Sequence, residues 1–312
     1  MAIIAHDAGG AEILASWLGR HPSAYIPVLS GAASSVFERK VSTCRSTVNL
    51  HEALKQCEWV LTGTGHSDTE WSAIRAARSA GLYTVSFLDH WTAFRQRFVR
   101  GGIAAFPDEI WVGDDEALDL VKKEVPEVNS RLWPNPYWLD VIEKSGTLPA
   151  VETVDNRASM LYVSSNLDDF SDGYALGVGD HWMIKEMIDY PYSNRRSEQI
   201  VSITIRRHPS ESVDKFFSFS HPGVTVYHDS GDDLVEAIAA HSCVVGFNSM
   251  AQVIAKLCGK YVINCQIAAH CIEVMPERYI DQTIFLKPPF LSGHNAGQTR
   301  KEGTALGWKF LM

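Results

Sequence analysis

The chain has 312 residues, 46% of them hydrophobic and 21% charged, with a formal net charge of −9. Length and composition suit two globular domains, each able to bury a core. The acidic balance excludes nucleic acid as the main partner, because backbone phosphates demand a basic surface, yet it leaves room for a small anion held by a few local donors.

Ala2 to Ala5 reads as a strand, cut by His6-Asp7-Ala8-Gly9-Gly10. Ala11 to Leu18 then has helical spacing, and Ala24 to Leu29 is a second strand. Glu58 to Leu61 is a third strand, broken by Thr62-Gly63-Thr64-Gly65-His66-Ser67. A helix follows from Asp68 to Ala80, with Asp68 or Ser67 as its cap and Gly81 as its stop. Leu82 to Leu88 and Glu109 to Val112 are further strands, and Asp115 to Glu124 is a helix. Such alternation indicates βαβ units and a parallel sheet. Pro134, Pro136 and Pro149, then the polar run Val151 to Arg157, read as a linker.

The second half repeats the logic. Strands are expected at Met160 to Val163, Ile200 to Ile205, Val224 to Tyr227, Cys243 to Gly246 and Tyr261 to Asn264. Helices are expected at Asp180 to Ile188, Asp232 to Ala240 and Met250 to Leu257. The fold class is therefore α/β, with two Rossmann-like domains over residues 1–140 and 155–284, their parallel sheets facing across a cleft. The weakly patterned tail, 285–312, is expected to pack back on the first domain. No apolar run approaches the ~20 residues that span a bilayer, and Met1 leads directly into a strand, so a soluble cytoplasmic protein is expected. Cys44, Cys57, Cys243, Cys258, Cys265 and Cys271 form no CxxC pair and read as reduced thiols.

Ligands of open parallel sheets bind beyond the carboxyl ends of the strands, and the chemistry-bearing residues of this chain cluster there. In His6-Asp7-Ala8-Gly9-Gly10 the glycines permit close backbone approach or positive φ, while Asp7 is a reactive carboxylate or a helix cap. Gly65 and His66 lie in a similar loop that suits an acceptor, a phosphate or a plain cap. Asp89 and His90 end an apolar strand, where a partly buried carboxylate suits a general base. Trp91, Phe94, Arg95, Arg97 and Phe98 offer either a stacking platform with cationic flanks or core. Arg206, Arg207 and His208 follow a strand and suit a leaving phosphate. Asn248 and Ser249 open a helix and suit either a phosphate or a cap. The scattered histidines offer no metal site, and no GxGxxG, P-loop or GxSxG motif is present.

The run from Asp232 through Gly246-Phe247-Asn248-Ser249 to Gly259-Lys260-Tyr261-Val262-Ile263 resembles the nucleotide-binding end of GT-B glycosyltransferases. His208-Pro209 resembles the HP motif of bacterial sialyltransferases, polysialyltransferases and related capsule enzymes, and Gly63 to Phe98 is similar to surface-polysaccharide biosynthesis proteins. The resemblance implies a metal-independent transferase without a cofactor, moving a sugar from a nucleotide donor to a glycan acceptor. A CMP-linked nonulosonate or Kdo-type sugar is the implied donor. It assigns the donor phosphate to His208 and Ser249, beside which the residues themselves place Arg206, Arg207 and Asn248, and the base to Asp89, with Asp7 in reserve. Acceptor contacts fall to His6, Gly9, Gly10, Gly65, His66 and His90. Asp89-His90-Trp91 lacks the second acid and the glycine of the family's motif. Such enzymes work at the inner face of the membrane, so peripheral attachment is a further expectation. A nucleotide-sugar epimerase or hydrolase, and a non-catalytic sugar- or nucleotide-binding protein, are the competing readings.

Overall fold

The structure is a computed structural model that describes residues 1–41, 46–65, 67–149, 157–167, 178–190, 199–209, 211–231, 233–267 and 275–288. The chain divides into two compact units, Met1–Asp140 and Val141–Met312, and each contains a six-stranded parallel sheet.

The first sheet is built from β1 (Ala2–Ala5), β2 (Ile26–Leu29), β3 (Trp59–Thr62), β4 (Tyr83–Leu88), β7 (Glu109–Val112) and β8 (Asn129–Leu132), in the order β2-β1-β3-β4-β7-β8. Its helices are α1 (Ala8–Arg20), α2 (Ala32–Lys40), α3 (Leu50–Gln56), α4 (Asp68–Ser79) and α5 (Asp115–Glu124), and α6 (Pro136–Ser145) runs from the first unit into the second. Both faces are covered, as a parallel sheet requires. Ile3 and Ala5 of β1 meet Leu14 and Trp17 of α1 on one face. Ala2 and Ile4 meet Ala53 of α3 and Ala73 and Ala77 of α4 on the other. The two-residue period of the strand thus serves two cores at once. A small antiparallel pair, β5 (Val99–Arg100) and β6 (Ile103–Ala104), turns through Gly101 and Gly102 at φ +53° and +78°, the left-handed conformation that a two-residue hairpin turn demands. At the sheet's edge, β2 carries Pro27, and Thr47 and Val48 cover its outer side: the Thr47 hydroxyl accepts from Leu29 N–H at 2.9 Å and Val48 N–H donates to the Pro27 carbonyl at 3.0 Å.

The second sheet comprises β9 (Arg157–Val163), β10 (Gln199–Arg206), β11 (Thr225–His228), β12 (Cys243–Gly246), β13 (Tyr261–Ile267) and β14 (Gln282–Leu286), in the order β11-β10-β9-β12-β13-β14. Its helices are α7 (Asp180–Ile188), α8 (Leu234–Ala239) and α9 (Met250–Leu257). Tyr162, Ile203, Val245 and Cys265 from four adjacent strands pack with Met183 and Ile184 of α7. Burial pushes the Cys265 thiol up, which leaves it protonated and inert. Numbered within its own sheet, this order is the Rossmann 3-2-1-4-5-6, whereas the first sheet is 2-1-3-4-5-6. Only the second unit therefore has the strict Rossmann order.

The structure corrects several expectations. Pro136 does not break regular structure. It is the first residue of α6, where its missing N–H costs nothing, and Asn135 Oδ1 accepts from Tyr137 N–H at 3.0 Å to cap the turn. Phe285 and Leu286, the start of the expected tail, instead complete a strand of the second sheet; 289–312 lie outside the described residues. Ser67, not Asp68, caps α4, its hydroxyl accepting from Thr69 N–H at 3.2 Å. His66, Asp232, Cys44 and Cys271 also fall outside the described residues. Among the described residues, no helix is long and apolar enough to cross a membrane.

Candidate functional site

In the first unit the order of strands reverses between β1 and β3, the switch point at which open parallel sheets bind ligands. The loops after both strands meet there. Gly10 and Gly63 pack backbone to backbone, so that a Cβ on either would lie 3.1 Å from the other's Cα. His6 Nδ1 and Asp7 Oδ1 are 2.6 Å apart, and both side chains are about one-third exposed. Facing a carboxylate, Nδ1 is the donor of this contact. Asp7 holds the N-cap position of α1, but its side chain makes no capping hydrogen bond. Its carboxylate lies against Gly65 instead.

The glycines have a different reason from the one expected. Gly9, Gly10, Gly63 and Gly65 all have ordinary φ values. Three glycines give room to side chains of the site: a Cβ on Gly9 would strike Asp89, one on Gly65 would strike Asp7, and one on Gly31 would strike the His6 ring. The sequence pattern thus reflects the seating of His6, Asp7 and Asp89 at least as much as the approach of a ligand.

Asp89 follows β4 and accepts from Arg97 Nη1 at 3.0 Å and from the Thr64 hydroxyl at 3.3 Å. Arg97 is only 8% exposed, so this ion pair is well shielded. Arg97 also donates to the Thr64 carbonyl at 3.2 Å, and Arg100 donates to the Gly65 and Ser67 carbonyls at 3.1 and 3.3 Å. The two arginines strap the glycine loop in place. His90 accepts from Trp91 N–H through Nδ1 at 3.0 Å. Trp91, Phe94 and Phe98 are buried, and the Trp91 indole donates to Asp114 at 3.0 Å. These rings belong to the core and offer no stacking platform. Glu70, which the sequence places only in the first turn of α4, is buried beneath the loops; it accepts from His6 N–H at 2.8 Å and from the Ser67 hydroxyl at 2.9 Å. Burial pushes its carboxyl above the ordinary value.

In the second unit the switch point lies between β9 and β12. The loops after them touch: the Ser165 hydroxyl donates to the Phe247 carbonyl at 2.5 Å. Asn248 has φ +49°, and its Oδ1 accepts from Asn264 Nδ2 at 3.1 Å and Gln266 Nε2 at 2.9 Å. Ser249 caps α9 in a capping box with Gln252. The alternative left open for Ser249 is thus realised as a cap, with its hydroxyl hydrogen still able to donate. Arg206 is ion-paired with Asp229 and donates to the Gly231 carbonyl at 3.1 Å. Arg207 donates to the Glu211 carbonyl at 3.0 Å. His208 sits in the loop beyond β10; the surrounding protein pushes its imidazole below the ordinary value although the residue is exposed at the surface. A neutral imidazole there offers a hydrogen bond rather than a charge.

Beneath this loop runs a buried polar chain that the sequence reading missed. The Tyr162 hydroxyl donates to Asp180 at 2.7 Å, Lys215 bridges Asp180 and Glu211 at 2.8 and 2.5 Å, and Glu211 accepts from the Ser164 hydroxyl at 2.7 Å and from His208 N–H at 2.6 Å. Asp180 and Glu211 side chains are each 1% exposed. Among the described residues no group of three or more His, Cys, Asp or Glu is arranged to hold a metal ion.

No family model matches the chain, and no curated protein matches it significantly by sequence. The fold is nonetheless shared with solved structures. A Methanocaldococcus jannaschii UDP-GlcNAc 2-epimerase in complex with UDP-GlcNAc and UDP superposes with a TM-score of 0.58 at 10% identity, over 92% of this chain and 88% of that one. UDP-GlcNAc 2-epimerase from Neisseria meningitidis, bound to UDP-GlcNAc, gives 0.56 at 13% identity, covering 85% and 83%. The glycotransferase of kitacinnamycin gives 0.52 at 12%, covering 93% and 87%. The chain therefore has an α/β fold of the GT-B type, a class that includes both epimerases and glycosyltransferases.

Proposed function

We propose that this protein is an enzyme acting on a nucleotide-activated sugar, and that it transfers the sugar to the hydroxyl of a glycan acceptor. The observation that carries this reading is that polar, titratable residues gather at the switch point of each parallel sheet. The structural neighbours, which bind UDP-GlcNAc or are named for glycosyl transfer, lend support at the level of fold.

In this proposal His6 and Asp7 supply the base. Asp89 is less suited, because Arg97 and Thr64 already engage its carboxylate. His6 Nε2 takes the proton of the acceptor hydroxyl, Asp7 orients the ring and stabilises the resulting imidazolium, and the oxygen forms the new C–O bond. The bond from the sugar to phosphate breaks, and its electron pair leaves with the nucleotide. His208, Arg207 and the Ser249 hydroxyl donate to that phosphate; Arg206 contributes through Asp229 to the shape of the loop. His208-Pro209 favours a CMP-linked donor of the nonulosonate or Kdo type. Calorimetric titration with CMP, CDP, UDP and GDP tests the nucleotide: preference for CMP is expected, and preference for UDP rejects that donor while keeping the enzyme class. Binding of none of them overturns the nucleotide-sugar reading.

Epimerisation or hydrolysis is the second reading. It is favoured by the number of proton-holding groups in the first unit, where His6, Asp7 and Glu70 adjoin one another, since such chemistry needs a proton removed and another delivered. Proton NMR of UDP-GlcNAc and of a CMP-linked sugar with enzyme in D2O, without acceptor, separates the two. Deuterium incorporation or rapid release of free sugar favours the second reading, and an inert donor favours transfer.

A further inference from the structure

The two units carry the same carboxylate clasp. In the first, buried Glu70 accepts from the backbone N–H of His6 at 2.8 Å and from the hydroxyl of Ser67 at 2.9 Å. In the second, buried Glu211 accepts from the backbone N–H of His208 at 2.6 Å and from the hydroxyl of Ser164 at 2.7 Å. Each serine also accepts from the N–H two residues on, Thr69 at 3.2 Å and Asn166 at 3.2 Å. In each unit the carboxylate ties together loops that follow two neighbouring strands, β1 with β3 and β9 with β10.

The wiring differs in one respect. Glu70 shares a helix start with its serine, three residues away, and reaches across to the histidine. Glu211 shares a turn with its histidine, three residues away, and reaches across to the serine. The Glu211 turn is closed by Glu211 N–H donating to the His208 carbonyl at 3.0 Å.

We propose that Glu70 and Glu211 are positioning residues of the two switch-point sites, each fixing the backbone of the histidine that meets the substrate. Neither needs to touch the substrate. A loop after a strand end has few other constraints on where its first residue points, and a carboxylate that accepts from its N–H removes that freedom. A displacement of about 1 Å at a reacting group is enough to cost about a hundredfold in rate. Only the kinetic part of this proposal rests on the nucleotide-sugar reading.

The clasps predict opposite outcomes for the same conservative change. In Glu70→Gln the amide oxygen still accepts from His6 N–H, and the amide N–H2 donates to the Ser67 oxygen, so the clasp survives. In Glu211→Gln the amide N–H2 faces the Lys215 ammonium, which now stands 2.5 Å from a donor, and the clasp opens.

The test uses the full chain with Glu70→Ala, Glu70→Gln, Glu211→Ala and Glu211→Gln. Amide hydrogen exchange is read in the segments holding His6 and His208, and kcat and KM are read on whichever nucleotide sugar the wild type consumes. Both alanine variants are expected to exchange faster at the affected histidine and to lose about a hundredfold in kcat with KM little changed. Glu70→Gln recovers most of both, and Glu211→Gln recovers neither. Unchanged exchange in both alanine variants overturns the proposal, as does a Glu70→Gln variant no better than Glu70→Ala. Where Glu211→Ala does not fold, Ser164→Ala removes one arm of the same clasp and is judged by the same two readouts. A wild-type protein that consumes no nucleotide sugar rejects the functional reading alone, and the clasps are then decided by exchange.

Discussion

The two units solve one problem with unequal electrostatics. Both bury a glutamate under a loop that carries a histidine, but among the described residues only the second brings a cation to it. Lys215, 14% exposed, lies between Glu211 and Asp180 and compensates both carboxylates. Glu70 has only neutral donors among the described residues, and desolvation pushes its carboxyl above the ordinary value. Both glutamates are buried, Glu70 at 4% and Glu211 at 7% exposure, so the contrast lies in charge count: the second unit gathers two carboxylates, Asp180 and Glu211, around one ammonium. The second site is thus held by charge and the first by hydrogen bonds.

The sharpest way to break this comparison is to remove the cation. Lys215→Met leaves two carboxylates buried without compensation and is expected to cost about 3–5 kcal/mol, measured by urea unfolding; a loss below that of an ordinary surface substitution contradicts the charge-held picture. Next in size is Gly65→Ala in the first unit. Its methyl meets the Asp7 carboxylate, so a loss of about 1–3 kcal/mol is expected, with a displaced Asp7 visible in a crystal structure of the variant. Ser249→Ala removes the cap of α9 at an expected cost of about 1 kcal/mol, and thermal unfolding reads it.

The smallest effect is in pH. The folded-state pKa of Glu70 lies above its unfolded value. Between those two values the folded protein binds more protons than the unfolded chain, so stability falls as pH rises through the folded pKa. Glu70→Gln abolishes that dependence and gains slightly in stability at neutral pH relative to the wild type, by up to about 1 kcal/mol. Urea unfolding from pH 4.5 to 7.5 checks the sign, and a wild type whose stability instead rises more steeply than that of the variant contradicts it.

Much of the framework was legible because buried parallel strands are short apolar runs. Ala2–Ala5, Glu109–Val112 and Cys243–Gly246 are such runs, and the pattern locates them directly. What escaped lies where periodicity is weak. The edge strand β8, Asn129–Leu132, is polar and largely exposed. The helix α3 buries only Ala53, and α2 starts from Gly31 without a side-chain cap. Asn135-Pro136 looked like a break because a proline stops a helix inside but favours its first turn. The candidate residues of the site fell at strand ends, where a sequence can place them. Their partners could not be read. Glu70 and His6 are 64 residues apart, and Glu211 and Ser164 47 apart. Nothing local in Glu70, Glu211 or Lys215 distinguishes a buried charge from a solvated one. The partner of Asp89 escaped for the same reason, since Arg97 lies in a loop whose path no periodicity fixes.

Pro27 and the covering segment at Thr47 and Val48 have a consequence of another kind. A parallel sheet ends in strands whose outer peptide groups invite a further strand, the usual beginning of fibrillar association. On β2 the proline brings no N–H to such a pairing, and Thr47 and Val48 already occupy the outward groups of Pro27 and Leu29. That margin of the first sheet is closed to recruitment, and only the polar β8 is left as its other edge.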